Sequence, residues 1–270
     1  MSQIFDFVPG TTPVLISVPH AGTEIPAEMA ARMTGEALDL PDTDWHVRLL
    51  YEFAKALGAG LIVAKNSRYV IDLNRDPSGK PLYPGADNTE LVPLTTFGRD
   101  AVYRSGLAPD DEEVAQRAAR YWRPYHDKLA GELEALKARH GLAVLWDAHS
   151  IPSVVPRFFS GKLPDLNLGS AKGASADRDL VEAVTRVFLS TNAFSSVLDG
   201  RFTGGYITRR FGQPHQNVHA LQLELGQQSY MDDAPPYRYD ADRAAPMRAL
   251  LEKTIEAVIA WAQARAGKGR

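Results

Sequence analysis

Cysteine is absent from this 270-residue chain. Its absence excludes disulfides, thiolate metal sites and cysteine nucleophiles together, so any bound metal must rely on His, Asp, Glu and water. Long apolar runs are missing too; none approaches the ~20 residues that a membrane-spanning helix needs. The opening residues Met1-Ser2-Gln3-Ile4-Phe5-Asp6-Phe7 have neither a basic start nor a long apolar stretch, so no signal peptide is expected. Neither sign of charge dominates. A net charge of -3 and a pI near 6.2 give no electrostatic case for nucleic acid or an anionic membrane. The chain has no GxSxG elbow, GxGxxG fingerprint or P-loop, and no repeat, low-complexity tract or separating linker. The expectation is a soluble cytoplasmic protein of a single domain, 1–270.

Hydrophobic residues make up 44% and charged residues 23%, enough to build a substantial core around ordinary surface. Short β-rich runs alternate with helical patterns. Strands are expected at 13–18, 61–64, 69–73, 142–147 and 196–198, with another apolar run at 218–223. Helices are expected at 45–57, 111–140 (broken near Pro124 and capped by Gly141), 177–189 and 241–264. Two stretches rich in Pro, Gly and polar residues, 74–93 and 150–176, read as long loops, and loops of that length tend to serve a site. The alternation argues an α/β fold, a single three-layer domain with a mixed, largely parallel sheet.

Three apolar runs end in groups suited to chemistry. Val14-Leu15-Ile16-Ser17-Val18-Pro19 leads to His20; Ala143-Val144-Leu145-Trp146 leads to Asp147-Ala148-His149-Ser150; Val218 to Leu223 leads to Glu224. Open α/β sheets build their sites at such strand ends. A lone histidine there is more often a hydrogen-bonded structural residue. Two histidines with a carboxylate, however, form a common catalytic zinc set that leaves one position for water. The third ligand stays open between Glu24, four residues past His20, and Asp44. Their plainer readings are a solvated loop carboxylate and a helix N-cap. Asp147 shares a strand face with His149 and can orient an imidazole. His126 and His140 fit exposed helix positions, His46 a helix start, and His215 and His219 are ambiguous.

Arg68-Tyr69-Val70-Ile71-Asp72-Leu73-Asn74-Arg75 is dense in groups that bind carboxylates, since guanidinium forks pair with them bidentately. Any one of these arginines could instead be solvated at the surface. In Arg201-Phe202-Thr203-Gly204-Gly205-Tyr206-Ile207-Thr208-Arg209-Arg210 the diglycine suits a wall lying close to substrate, or a plain turn. Small residues at Ala21-Gly22 would admit a ligand or metal near His20. Glu224, closing an apolar strand, is either half of a buried salt bridge or a proton carrier beside a metal.

Taken together, these segments resemble the N-formylglutamate amidohydrolase (N-formylglutamate deformylase) family. The matching pieces are Ser17 to Pro26, Leu40 to His46, Arg68 to Arg75, Asp147 to Ser150, Gly204 to Arg209 and Asn217 to Glu224, and the likeness covers about Pro9 to Asp233. A more distant similarity is to aspartoacylase and succinylglutamate desuccinylase, which share a zinc-carboxypeptidase-like (phosphorylase/hydrolase-like) fold. The resemblance implies hydrolysis of N-formyl-L-glutamate to formate and L-glutamate, the last step of one bacterial route of histidine degradation. It implies His20 and His149 as zinc ligands (cobalt or manganese being alternatives) and Glu224 as general base. Arg68, Asn74, Arg75 and Arg209 would then hold the substrate, with Arg68 also steadying the oxyanion. The distant relatives use His-x-x-Glu, whereas His20 and Glu24 are one residue further apart. The family pattern stresses the aspartate matching Asp44, which makes Asp44 the expected third ligand and Glu24 the second choice. A related N-acyl amino acid hydrolase, or a non-catalytic dicarboxylate-binding protein, are the competing functions. The expected partner is a small N-acyl dicarboxylic amino acid, with no role for nucleic acid or membrane.

Overall fold

Val14–Val18 is buried at every residue, as are Ala143–Ile151 and nearly all of Val218–Gly226. Parallel strands covered on both faces need such continuous burial, which is why they read as apolar runs. The computed structural model describes residues 3–82 and 85–266. Tyr83 and Pro84 of the first expected loop, and residues 1–2 and 267–270, lie outside the described residues.

The strands are β1 (Phe5–Val8), β2 (Val14–Val18), β3 (Gly60–Ala64), β4 (Ala143–Ile151), β5 (Leu166–Gly169), β6 (Ser196–Leu198) and β7 (Val218–Gly226). The helices are α1 (Ala27–Ala30), α2 (Gly35–Leu38), α3 (Val47–Leu50), α4 (Asp111–Arg117), α5 (Arg123–His140), α6 (Arg178–Phe188), α7 (Tyr206–Phe211) and α8 (Ala241–Ala266). The described strands form one sheet in the order β1-β3-β2-β4-β7-β5-β6. Pairings through β3-β2-β4-β7 are parallel, as is β5-β6, while β1-β3 and β5-β7 are antiparallel. The sheet is therefore mixed and largely parallel.

Alternation sorts the side chains into two cores. Val14, Ile16, Val18, Val144, Trp146, Ala148, Leu221, Leu223 and Leu225 pack with α3, α6 and α8. Leu15, Ala143, Leu145 and Ala220 face the other way, onto α5, α7 and the segment Tyr69–Leu73. Helices on both faces give the three layers. At ~25 cal/mol per Å² of apolar surface, burying two such faces is the main favourable term in folding.

Several expectations need correction. Residues 69–73 form no strand; their carbonyls meet side chains instead, Arg117 reaching Tyr69 and Val70 and His126 reaching Leu73. The loop expected over 150–176 contains β5, and β1 went unforeseen because each is only four residues long. The helix expected over 45–57 is broken into α3 and a 3-10 turn at Glu52–Lys55, and Leu49 points outward. The break near Pro124 takes the form of a π turn over Ala118–Trp122. Proline there lacks the N–H that a continuous α-helix would use. Gly141 ends α5 in the left-handed conformation, φ 83°, as a C-terminal glycine does.

His126 is not exposed but 5% accessible, its Nε2 donating to the Leu73 carbonyl at 2.8 Å. Burial, assisted weakly by Arg210, pushes its pKa down to about 4, against the Leu73 hydrogen bond and Asp147. In the unfolded chain this imidazole titrates near 6.5, so the stability it confers is intact above that pH. It is lost as pH falls from 6.5 toward 4, by roughly 3 kcal/mol at the limit. Denaturant midpoints of wild type and His126→Phe across pH 4–7 check this: relative to the variant, wild type should lose stability as pH falls below 6.5.

Candidate active site

Strand parity builds the floor. Ser17, Asp147, His149, Gln222 and Glu224 project on the face opposite Trp146 and Leu223, at the carboxyl ends of β2, β4 and β7. Ser17 lies beside Asp147, Asp147 beside Gln222, and His149 beside Glu224 across the parallel pairings. His219 has the other parity and is buried against Trp261 on the far side of the sheet, away from these groups.

His20 follows β2 directly, and its carbonyl accepts the Asp44 N–H at 3.1 Å, bringing the 42–46 turn over the strand end. The Nδ1 atoms of His20 and His149 lie 3.8 and 3.1 Å from Asp44 Oδ2. Each imidazole is fastened at its other nitrogen, His20 Nε2 to Asp72 at 2.8 Å and His149 Nε2 to Asp147 at 2.9 Å. Ser17 in turn donates to Asp147 Oδ1. A carboxylate holding the remote nitrogen fixes tautomer and ring orientation, the usual support of a metal-binding histidine. One donor atom from each of His20, Asp44 and His149 lies within 4.8 Å of the others, and all three residues are buried.

The chemistry of this donor set fits a divalent cation. Asp44 Oδ1 is buried without a hydrogen-bond partner. Asp44, Asp72, Asp147 and Glu224 are buried here together with Arg68 and the partly buried Arg75. Asp44 is not the cap of α3, since His46 holds that position at φ 62°. Glu24 stands outside the group: its side chain is exposed, and its backbone is tied to Lys65 and Ser67.

Protonation follows burial and neighbours. Burial and Arg68 lower His20 below its ordinary value, in spite of Asp72 and Asp44. Burial works against a charge on His149 as well, but Asp147 and Asp44 outweigh it and hold it well above the usual range. Asp72 stays well below the carboxylate range, because His20, Arg75 and Arg68 overcome its desolvation. Glu224 is pushed up to about 8 by burial, with Asp44 and Asp147 adding to the effect and His149 and Arg68 opposing it.

A narrow cleft opens above these groups, with a cavity volume of about 60 Å³. Arg68, Asn74, Arg75 and Arg201 line it on the polar side, and Ile151, Phe97, Phe158 and Phe202 on the apolar side. Arg68 is locked in place by Asp72 (3.0 Å) and the Asp42 carbonyl (3.0 Å), over the Phe97 ring at 4.8 Å. Arg75 bonds Thr89 through Nε and Nη2. Arg209, expected at the substrate, does not line this cleft. Its guanidinium bonds Gly204 O, Leu82 O and Thr203 Oγ1 and borders a neighbouring groove. It sits within α7, four residues past the second glycine of the 204–205 pair.

Three residues at the site had been given no role. Asp72 joins His20, Arg68 and the Asn74 N–H. Gln222 accepts from Gly205 N at 2.7 Å and donates to Glu224 Oε2 at 3.3 Å. Arg201 lines the cleft beside Phe158 and Phe202. Only Gln222 carried a usable signal, being two residues before Glu224 on the same strand face.

The glycines serve the protein rather than a ligand. Gly22 packs on the backbone of Lys65 and Asn66, and a Cβ on Gly205 would sit 2.2 Å from Asn74 Nδ2. Asn74 Oδ1 accepts from Ile207 N at 2.8 Å, which turns its amide nitrogen toward His149 Nε2, 3.1 Å away. Since that Nε2–H is directed to Asp147, the Asn74 amide hydrogens are left for Gln222 and the cleft. Gly205→Ala is therefore expected to displace Asn74 and lower turnover at least tenfold, a misplacement effect. Steady-state rates with unchanged far-UV circular dichroism would check it; full activity would detach Asn74 from the reaction.

Fold and site together define an α/β protein with a candidate mononuclear metal centre beside a cation-lined cleft. The family model for N-formylglutamate amidohydrolase matches residues 12–231. The chain belongs to this family. It is 48% identical over 265 residues to a protein from Pseudomonas aeruginosa named N-formylglutamate deformylase, covering 98% of this chain and 99% of that one. A protein of the same name from Pseudomonas putida is 46% identical over the same length and shares. A crystal structure of N-formylglutamate amidohydrolase from Ralstonia eutropha superposes with a TM-score of 0.81 at 23% identity, over 98% of this chain and 99% of the other. A gene product of Agrobacterium tumefaciens gives 0.72 at 16% identity, over 95% of each chain. At those identities the two structures bear on the fold alone.

Proposed function

We propose that this chain, as one domain over 1–270, hydrolyses N-formyl-L-glutamate to formate and L-glutamate. The observation that carries the reading is the meeting of His20, Asp44 and His149 with a buried glutamate, Glu224, at the base of an arginine-lined cleft. The near-full-length relatives named for this deformylation supply the substrate.

His20, Asp44 and His149 would hold the metal, zinc on this donor set, with cobalt or manganese able to substitute. When bound, zinc supplies Lewis-acid polarisation of the formyl carbonyl and eases deprotonation of water near neutral pH. Glu224 takes the proton of the attacking water and passes it to the departing nitrogen, its carboxylate oriented by Gln222. Arg68, held rigidly by Asp72, faces the developing oxyanion. Arg75 and Arg201 meet the substrate carboxylates, and Asn74 contributes its amide N–H. Phe97, Phe158 and Phe202 exclude water from the rest of the cleft. A substrate without the side-chain carboxylate forgoes an ion pair with a partly buried guanidinium, which costs affinity.

No described helix is long and apolar enough to cross a membrane. We place the reaction in the cytoplasm, at the last step of histidine degradation. Formate release from N-formyl-L-glutamate, before and after chelation and zinc restoration, tests the reading. Activity lost to chelator and regained with zinc is the expected result. Cleavage of N-acetylaspartate or N-succinylglutamate instead would reassign the substrate. No hydrolysis of any of them by metal-loaded protein would leave a dicarboxylate-binding role.

A further inference from the structure

The segment Tyr69–Arg75 carries Asp72, Asn74 and Arg75 into the site, yet it belongs to no strand or helix. Three of its carbonyls are satisfied from one direction. Arg117 donates to Val70 O at 3.1 Å, Trp122 Nε1 to Arg75 O at 3.1 Å, and His126 Nε2 to Leu73 O at 2.8 Å. All three donors lie on the run formed by α4, the π turn and α5.

Their spacing explains the π turn. Trp122, the last residue of the π turn, and His126 of α5 are four apart and share one helix face. Arg117 and Trp122 are five apart, which in an unbroken α-helix would turn them roughly 140° away from each other. A π turn closes residues i and i+5 and restores the alignment. The turn spans Ala118–Trp122, beginning just after Arg117 and ending on Trp122, the two donors it brings into line. Such turns are rare, and they concentrate at functional sites.

We propose that this π turn is a positioning device for the reaction: through Trp122 and His126 it clamps the carbonyls on either side of Asn74 and fixes the Asn74 amide at the wall of the cleft. Neither ring lines the cleft, so both act through Asn74. The inference rests on the reading of the cleft as an amidase site. Trp122 stacks on His126 with ring centroids 3.6 Å apart and planes at 15°, and both rings contact Tyr206 of α7. His126 also stacks on Phe211 at the other end of α7. That helix supplies Ile207 N to Asn74 Oδ1, while Asp72 Oδ1 accepts the Asn74 N–H. The amide is thus held at its own backbone, at both neighbouring carbonyls and at its side-chain oxygen. Burial keeps His126 neutral, so it carries one ring hydrogen, and that hydrogen is committed to Leu73.

Trp122→Phe and His126→Phe retain a stacked ring and delete the N–H, leaving an unmet carbonyl beside Asn74. Each is expected to lower kcat for N-formyl-L-glutamate about tenfold with KM changed less than threefold, the pattern of a misplaced group. In an Asn74→Ala background, Trp122→Phe should change kcat less than twofold, because its target is gone. A second readout needs no turnover: hydrogen exchange at the Ile207 amide of the metal-loaded protein should quicken about tenfold in Trp122→Phe, by local opening, with β4 and β7 amides unchanged. Equal kcat losses with and without Asn74, or unchanged Ile207 protection, overturn the proposal. If wild type fails to hydrolyse N-formyl-L-glutamate, the substrate reading falls by itself, and Ile207 exchange alone decides the clamp. That readout also decides it if Asn74→Ala is inactive.

Discussion

Glu224→Gln is expected to lower kcat about a thousandfold, within the range by which a positioned acid–base group accelerates proton transfer. The amide keeps the shape of the carboxylate and still accepts from Gln222, but it can neither take the proton of water nor return it to the leaving nitrogen. Glu224 is not among the clustered donors His20, Asp44 and His149, so metal content should stay within a few per cent of wild type. The fold should not suffer. Burial raises the folded pKa of Glu224 to about 8, above the ordinary 4.5, so any stability from the protonated form is full below 4.5. It is lost as pH rises toward 8, and a neutral amide escapes that loss. The metal-free variant should therefore outlast metal-free wild type in thermal denaturation at pH 8 and above. Single-turnover formate release at equal metal content is the measurement, and wild-type rates in the variant would remove Glu224 as proton carrier.

The second large effect is expected at Asp72, which lines no part of the cleft but holds the groups around it. Its carboxylate binds His20 Nε2, the Arg68 guanidinium and the Asn74 N–H, at zero exposure. In Asp72→Asn the ion pair with buried Arg68 is broken and the His20 ring loses its anionic anchor. Removing one partner of a buried pair costs about 3–5 kcal/mol. For a chain of this size that shifts Tm down by about 6–20 °C. Losing the carboxylate behind a metal-binding histidine weakens metal affinity about 10–100-fold. Calorimetric melting and a competitive zinc titration separate the two losses. A drop in Tm with unaltered zinc affinity would confine Asp72 to structure and leave His20 held by other means.

The two substitutions mark different depths of legibility. Glu224 could be singled out from the chain because it ends an apolar run, and a carboxylate at the end of a buried strand demands an explanation. The same logic reached His20 and His149, and strand parity alone put Asp147 on the His149 face. Asp72 sat inside a recognised segment, yet nothing in Arg68 to Arg75 tells that its carboxylate meets His20, 52 residues earlier. That meeting depends on how the segment crosses the sheet. The mistaken strand at 69–73 has the same origin: β-branched and aromatic residues suit a strand, but here their carbonyls are taken by Arg117 and His126. Arg209 lies off the cleft for a related reason, since a guanidinium at the right sequence distance can still be held by its helix on backbone carbonyls beside it.

By itself, then, the amino-acid order determined the α/β class, the strands β2, β3, β4, β6 and β7, the helices α5, α6 and α8, and the strand-end groups from which a site could be assembled. These are local properties, set by periodicity, capping and the burial that continuous apolar runs require. Tertiary structure alone decided which carboxylate joins which imidazole. It selected Asp44 rather than Glu24 to stand beside His20 and His149, put Arg201 rather than Arg209 at the cleft, and placed a π turn where three side chains must reach one irregular segment. Those choices rest on contacts between residues far apart in the chain, whose energies depend on mutual geometry and on a low-dielectric interior that exists only once the sheet and its helices have packed.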